Sequence, residues 1–128
     1  MMRLIIIALG GAIGTLLRYC VGGLDYRFSQ GVFPVSTFIV NLTGSLIIGF
    51  LWGFFERFAV APNIRLFILI GILGGYTTFS TFSLETFHLL RDCEYKIALM
   101  NVLLSNVLGV AAVFAGYFIA KILLHLCK

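Results

Sequence analysis

The chain has 128 residues, 61% hydrophobic and 11% charged, where a soluble domain carries roughly a quarter charged residues. That shortage excludes a wetted globular surface, and nine basic residues spread thinly behind a net charge of +4 form no nucleic-acid patch. With a mean hydropathy of +1.10, residues 1–128 read as one domain whose solvent is the lipid bilayer.

The N-terminal "MMRLIIIALGGAIG" imitates a signal peptide. Its apolar character runs on to Val21 and no polar mature domain follows, so it is read as a retained first span. A membrane helix needs about 20 mostly apolar residues. Four stretches qualify, at about 4–23, 33–55, 66–90 and 97–124, separated by "LDYRFSQG", "ERFAVAPNIR" and "RDCEYK". Pro34 falls at a tolerated first-turn position of the second span, and Pro62 marks the second connection. The expected fold is therefore all-α, with four transmembrane helices.

Small residues recur along these helices. Gly10 and Gly14 lie i, i+4 in the first span, with Gly11 beside them. Ser45, Gly49 and Gly53 repeat in the second; Ser105, Gly109, Ala112 and Gly116 form a strip in the fourth. Such rows let helix backbones approach closely, within one copy or between copies. Four helices enclose little space, which argues against a pore inside a single copy. With the N-terminus inside, Arg3, Arg57, Arg65, Lys121 and Lys128 face the cytoplasm, against Arg27, Arg91 and Lys96 outside and Arg18 within the first span. Five against three is a small bias under the positive-inside rule. A chain that inserts both ways, and so pairs antiparallel with a second copy, would show it; so would any small protein with few charges. Cys20, Cys93 and Cys127 are too widely spaced for a disulfide framework or zinc site and read as packing or surface thiols.

Polar groups inside spans are costly and mark candidate sites. Arg18 either snorkels to an interface beside Tyr19 or faces an aqueous vestibule. Asn41 requires a partner: another helix or a passing anion. Thr37, one turn earlier, points the same way. Asn101, Ser105 and Asn106 satisfy neighbours or line a path. Glu85 and His88 lie late in the third span, where either reaches the interface.

The third span holds "GILGGYTTFSTFSLETF", and its "GGYTT" joins the residues poorest at forming helix. A break at this depth is tolerated where it is buried or lines a cavity. The freed carbonyls of Gly74, Gly75 and Thr77 suit a hard cation such as Na⁺. Just beyond, Phe79 and Phe82 share a face. Their ring edges are electropositive and would line a path for a small anion, with Ser80, Thr81 and Ser83 beside them; the alternative is simple packing.

"GGAIGTLLRY", "TFIVNLTGS" and above all "GGYTTFSTFS" together resemble the Fluc (CrcB) family, small dual-topology fluoride channels of bacteria. The resemblance spans essentially the whole chain. It implies a multi-pass protein of the inner membrane, assembled as an antiparallel homodimer with two pores, exporting F⁻ passively. It further implies that the carbonyls of Gly74 and Thr77 from both copies hold a central structural Na⁺. Phe79 and Phe82 would contact fluoride by their ring edges, with Asn41 as the pore-facing amide and Arg18 as the vestibular arginine. Ser80, Thr37, Thr81 and Ser105 would belong to a polar track, and Glu85 falls at a familiar acidic position. The family often carries tyrosine where this chain has Asn101, so the pore lining differs there.

The main rival is a small proton-coupled multidrug transporter, also of four spans with dual topology. That chemistry wants a carboxylate deep in the first span, and this chain has Arg18 there. A scaffold subunit would explain the glycine rows but not Arg18, Asn41 and a broken helix together. No nucleophile–base pair, metal cluster or phosphate loop suggests an enzyme.

Overall fold

A computed structural model describes residues 1–23 and 32–126. The connection "LDYRFSQG", with Arg27, and the terminal Cys127 and Lys128 lie outside the described residues. The described chain is all-helical: α1 (Met2–Gly22), α2 (Val35–Arg57), α3 over 62–76, α4 (Phe79–Arg91) and α5 (Tyr95–Leu126). Helix α3 opens with an α-helical turn at Pro62–Arg65, continues as a π-helical stretch at Leu66–Leu73 and closes with Gly74–Tyr76. Together α3 and α4 make one broken span, so four helical segments are long and apolar enough to cross a membrane.

The third span begins at Pro62, four residues earlier than its hydropathy implies. Proline's fixed φ suits a first helical turn. Arg65 then turns away from lipid: its Nη2 donates to the carbonyl of Phe55 at 2.6 Å, and its guanidinium lies 5.4 Å from the Phe55 ring centroid. A cation thereby serves the carbonyl-rich end of α2.

Two seams hold the helices, and both lie within one copy. Along the first, α1 meets α3 backbone to backbone. A Cβ on Gly10 would lie 2.9 Å from the Cα of Gly71, and one on Gly75 would lie 2.7 Å from the carbonyl oxygen of Gly11. Gly71 and Gly75 thus form a second i, i+4 row, which meets Gly10 and Gly11. The second seam joins α2 to α5. A Cβ on Gly49 would overlap the carbonyl of Val113, one on Gly116 would overlap that of Leu46, and one on Gly53 would lie 3.0 Å from the Cβ of Ala120. Near the end of this seam Glu56 accepts from Lys121 at 2.8 Å and from Tyr117 at 3.0 Å, fastening α2 to α5.

Helix α4 ends in a left-handed turn. Cys93 has φ 62°, the N–H of Glu94 donates to Leu89 at 2.8 Å and that of Cys93 to Leu90 at 3.2 Å. This is the paired-bond helix ending that usually places glycine at the left-handed position. A side chain there costs on the order of 1 kcal/mol. Cys93→Gly is therefore expected to raise stability by about 1 kcal/mol, read as a higher midpoint of thermal unfolding in detergent. A lower midpoint would show that the exposed thiol contributes more than the strain removes. Cys20 and Cys93 are both free and exposed.

Candidate functional site: the helix break and its two cavities

The break is two residues long. Thr77 (φ −77°, ψ 156°) and Thr78 (φ −149°, ψ 122°) are extended, so the helical ladder stops and restarts. The N–H and hydroxyl groups there find specific destinations. The N–H and hydroxyl of Thr77 both donate to the carbonyl of Leu73, at 3.0 and 2.9 Å. Thr78 caps α4: its Oγ1 accepts from the N–H of Thr81 at 3.2 Å and donates to the Thr81 hydroxyl at 3.0 Å. This is the capping a helix start requires.

Asn41 completes the break from α2. Its Nδ2 donates to the carbonyl of Thr78 at 3.0 Å, and its Oδ1 accepts from the N–H of Thr78 at 2.9 Å. One amide side chain thus gives the Thr78 N–H the acceptor it loses at the interruption and adds a donor to the Thr78 carbonyl. The partner that a mid-membrane amide demands is the backbone of the break. Because the Thr78 N–H turns to Asn41, the carbonyl of Gly74 loses the donor a continuous helix would give it. Gly74 is exposed, and an added Cβ would find nothing nearer than the carbonyl oxygen of Leu69 at 3.8 Å. Tyr76 is tied back to α2 by a 2.9 Å contact between its hydroxyl and that of Thr43.

Two cavities flank the break, and Thr78 lines both. The first, of about 340 Å³, is bounded by Asn41, Gly74, Thr77, Phe79, Phe82 and Ser105, with Asn106 at its edge. The rings of Phe79 and Phe82 are tilted by 43° with centroids 5.6 Å apart. Phe82 is buried, whereas Phe79 is 76% exposed and lies bare on the surface of a single copy. The second cavity, of about 720 Å³, holds Arg18, Thr37, Thr81 and Glu85. In it Thr37 donates to Glu85 at 2.7 Å, and Nη1 of Arg18 approaches the carbonyl of Thr77 at 3.4 Å.

The sequence candidates are therefore divided between two chambers. Thr37 and Asn41, one turn apart, serve opposite sides of the break. Arg18 points toward the break, its Nη1 3.4 Å from the Thr77 carbonyl, and Glu85 is held by Thr37. Ser80 is exposed beside Thr78, its hydroxyl 3.4 Å from that of Thr78. Ser83, expected to offer a donor near the Phe pair, gives its proton to the carbonyl of Phe79 at 2.9 Å. Asn101 is 1% exposed and sits behind Ser105, bonded to Thr86. Thr78 and Thr86 escaped the sequence reading. A threonine three residues before Thr81 at a helix start is a capping signal that could have flagged Thr78; Thr86 carries none.

The family profile described as "CrcB-like protein, Camphor Resistance (CrcB)" matches residues 5–117. A relative from Desulforapulum autotrophicum named "Fluoride-specific ion channel FluC" is 43% identical over 122 residues, covering 94% of this chain and 98% of the relative. One of the same name from Parabacteroides distasonis is 42% identical over 128 residues, the whole of both chains. A third, from Thermococcus kodakarensis, is 47% identical over 116 residues, 90% of this chain and 93% of the relative. With its four apolar spans and this match over most of its length, the chain is a multi-pass membrane protein that belongs to the CrcB family.

Proposed function

We propose that this chain is a fluoride-selective channel of the bacterial inner membrane, exporting F⁻ passively as an antiparallel dimer with two pores. It moves an ion and transforms none, so it is not an enzyme. The observation that carries the reading is the first cavity, in which Phe79, Phe82, Asn41 and Ser105 converge beside the break. The names of the relatives supply the ion.

The chemistry of that wall suits a small anion. Ring edges carry partial positive charge without the full charge that would trap a halide. Asn41 has two amide hydrogens and uses one on Thr78; the other remains for the anion, and the Ser105 hydroxyl, whose proton lies on Asn101 at a long 3.4 Å, can turn toward it. Weak contacts at several points allow both entry and exit. In the second cavity Arg18 draws anions toward the break, while Thr37 and Thr81 add hydroxyls along the approach.

The dimer reading has its own support. Phe79 and Gly74 lie bare on one copy, and the cavity between them opens to the surface. A second copy would cover them and close the path. A central Na⁺ fits the oxygen atoms present. The carbonyl of Gly74 has lost its helical donor, and that of Thr77 carries only a long 3.4 Å contact from Arg18, weaker than an ordinary bond. Neutral carbonyls of this kind suit a hard cation, with the remaining ligands coming from the second copy. Bound there, the ion would supply a fixed positive charge and tie the two breaks together.

Phe79→Ile and Phe82→Ile are each expected to cut fluoride flux at least about tenfold, the loss of roughly 1.4 kcal/mol of anion contact. The two-chain mass measured in detergent should stay the same. Unchanged flux in both variants would remove the aromatic edges from the permeation path.

A further inference from the structure

Asn101 stands where neither the cavity nor the seams require an amide, yet it is only 1% exposed. Its hydrogen bonds form a chain with a fixed direction. The hydroxyl of Thr86 gives its single proton to the carbonyl of Phe82 at 2.8 Å. Having no proton left, Thr86 Oγ1 accepts from Nδ2 of Asn101 at 3.0 Å. Turning the amide over would force the Thr86 hydroxyl to give up its bond to Phe82 and would leave the Ser105 hydroxyl facing an NH2 group. Oδ1 of Asn101 faces Ser105, whose hydroxyl donates to it at 3.4 Å. Ser105 also lines the cavity that holds Phe79 and Phe82.

The last link is the weak one. At 3.4 Å it lies beyond the usual hydroxyl–oxygen range, so the Ser105 proton is held loosely. We propose that Asn101 and Thr86 are positioning residues that give the Ser105 proton a resting acceptor, which an anion entering the cavity must outcompete. This rests on the fluoride-channel reading and deepens it. When the cavity is empty the proton rests on Asn101. When an anion arrives the hydroxyl rotates, and no covalent bond forms or breaks. Because the acceptor waits behind it, the serine releases the anion as readily as it takes it. A hydroxyl with no resting acceptor would aim its proton permanently into the cavity and hold the anion longer, which slows a channel. Thr86 and Asn101 thus set how tightly Ser105 grips, with Asn101 lying outside the lining of the cavity.

The test is the fluoride dependence of current through the full-length protein in planar bilayers. Asn101→Leu removes the acceptor, and Thr86→Val removes the bond that fixes the amide. Each is expected to lower the half-saturating fluoride concentration about fivefold, the effect of one hydrogen bond, and to lower the maximal current. Thr86→Ser, which keeps the hydroxyl, should match the parent. In a Ser105→Ala background neither Asn101→Leu nor Thr86→Val should shift half-saturation further. Half-saturation at the parent value in both variants, or the same shift without Ser105, would overturn the proposal. Should Asn101→Leu fail to assemble, Thr86→Val decides alone, since it keeps the shape of the side chain. A parent protein that carries no fluoride current would instead sink the channel reading itself.

Discussion

Asn41→Leu is expected to destabilise the protein by about 3 kcal/mol and to abolish measurable fluoride flux. The leucine fills the space of the amide but offers no hydrogen bonds. The N–H of Thr78, which Asn41 accepts at 2.9 Å, is then left without a partner, and the Thr78 carbonyl loses the donor at 3.0 Å. Each buried unpaired group costs about 1–3 kcal/mol, and at membrane depth there is little water to replace the loss. The chain escapes that cost by refolding the break, either extending α4 backward or unwinding Thr78 further. Both movements displace Phe79 and the carbonyls of Gly74 and Thr77. Asn41→Asp separates charge from geometry: its carboxylate still accepts from Thr78 N–H but sets an anionic oxygen against the Thr78 carbonyl, so flux should also vanish. Thermal unfolding in detergent and flux in liposomes check both. A stable, conducting Asn41→Leu protein would mean that the break is held by other contacts.

The second large effect is expected at Gly14. A Cβ there would overlap the carbonyl of Ile72 and lie 2.8 Å from the backbone nitrogen of Tyr76. Neither atom can step aside, because both belong to the backbone of α3 next to the break. Gly14→Ala should therefore push α3 away from α1, at a cost of about 2–3 kcal/mol from overpacking, and lower flux by moving Tyr76 and the residues that follow. Gly11→Ala is the internal control. A Cβ on Gly11 would meet nothing within 4 Å, so stability and flux should stay near the parent. Equal behaviour of the two alanine variants would contradict the backbone-to-backbone seam.

The contrast between these two glycines shows where a one-dimensional reading stops. Spacing put Gly10 and Gly14 on one face, but a face has no named partner until the fold supplies one. Of the residues that meet them, Gly71 lay unnoticed in the apolar run before the break, and Gly75 was read with Gly74 as a mark of helix weakness rather than as a packing surface. The four spans were legible because a bilayer dictates a length and a polarity. The break was legible to within a few residues from the poor helix formers of "GGYTT", but Gly74 and Gly75 stay helical and only the two threonines are extended. What held the break was hidden. That Asn41 would clasp Thr78 across 37 positions depends on how α2 packs beside α3 and α4. The hydroxyl of Thr86 was hidden for the same reason: where a hydroxyl proton goes is a property of neighbours, and its sequence context marks it only as one more polar residue in a helix. Resemblance narrowed the candidate residues to a short set; the geometry then divided that set into two chambers meeting at Thr78.

The wall formed by Phe79, Phe82, Asn41 and Ser105 is expected to pass fluoride and reject chloride. Its most direct test uses purified protein in liposomes loaded with potassium fluoride or potassium chloride, with valinomycin added to balance charge and anion release followed by electrode. Fluoride should leave rapidly from protein-containing vesicles while chloride is retained. Chloride release at the same rate, or no fluoride release from well-folded protein, would rule out a fluoride-selective path along this wall.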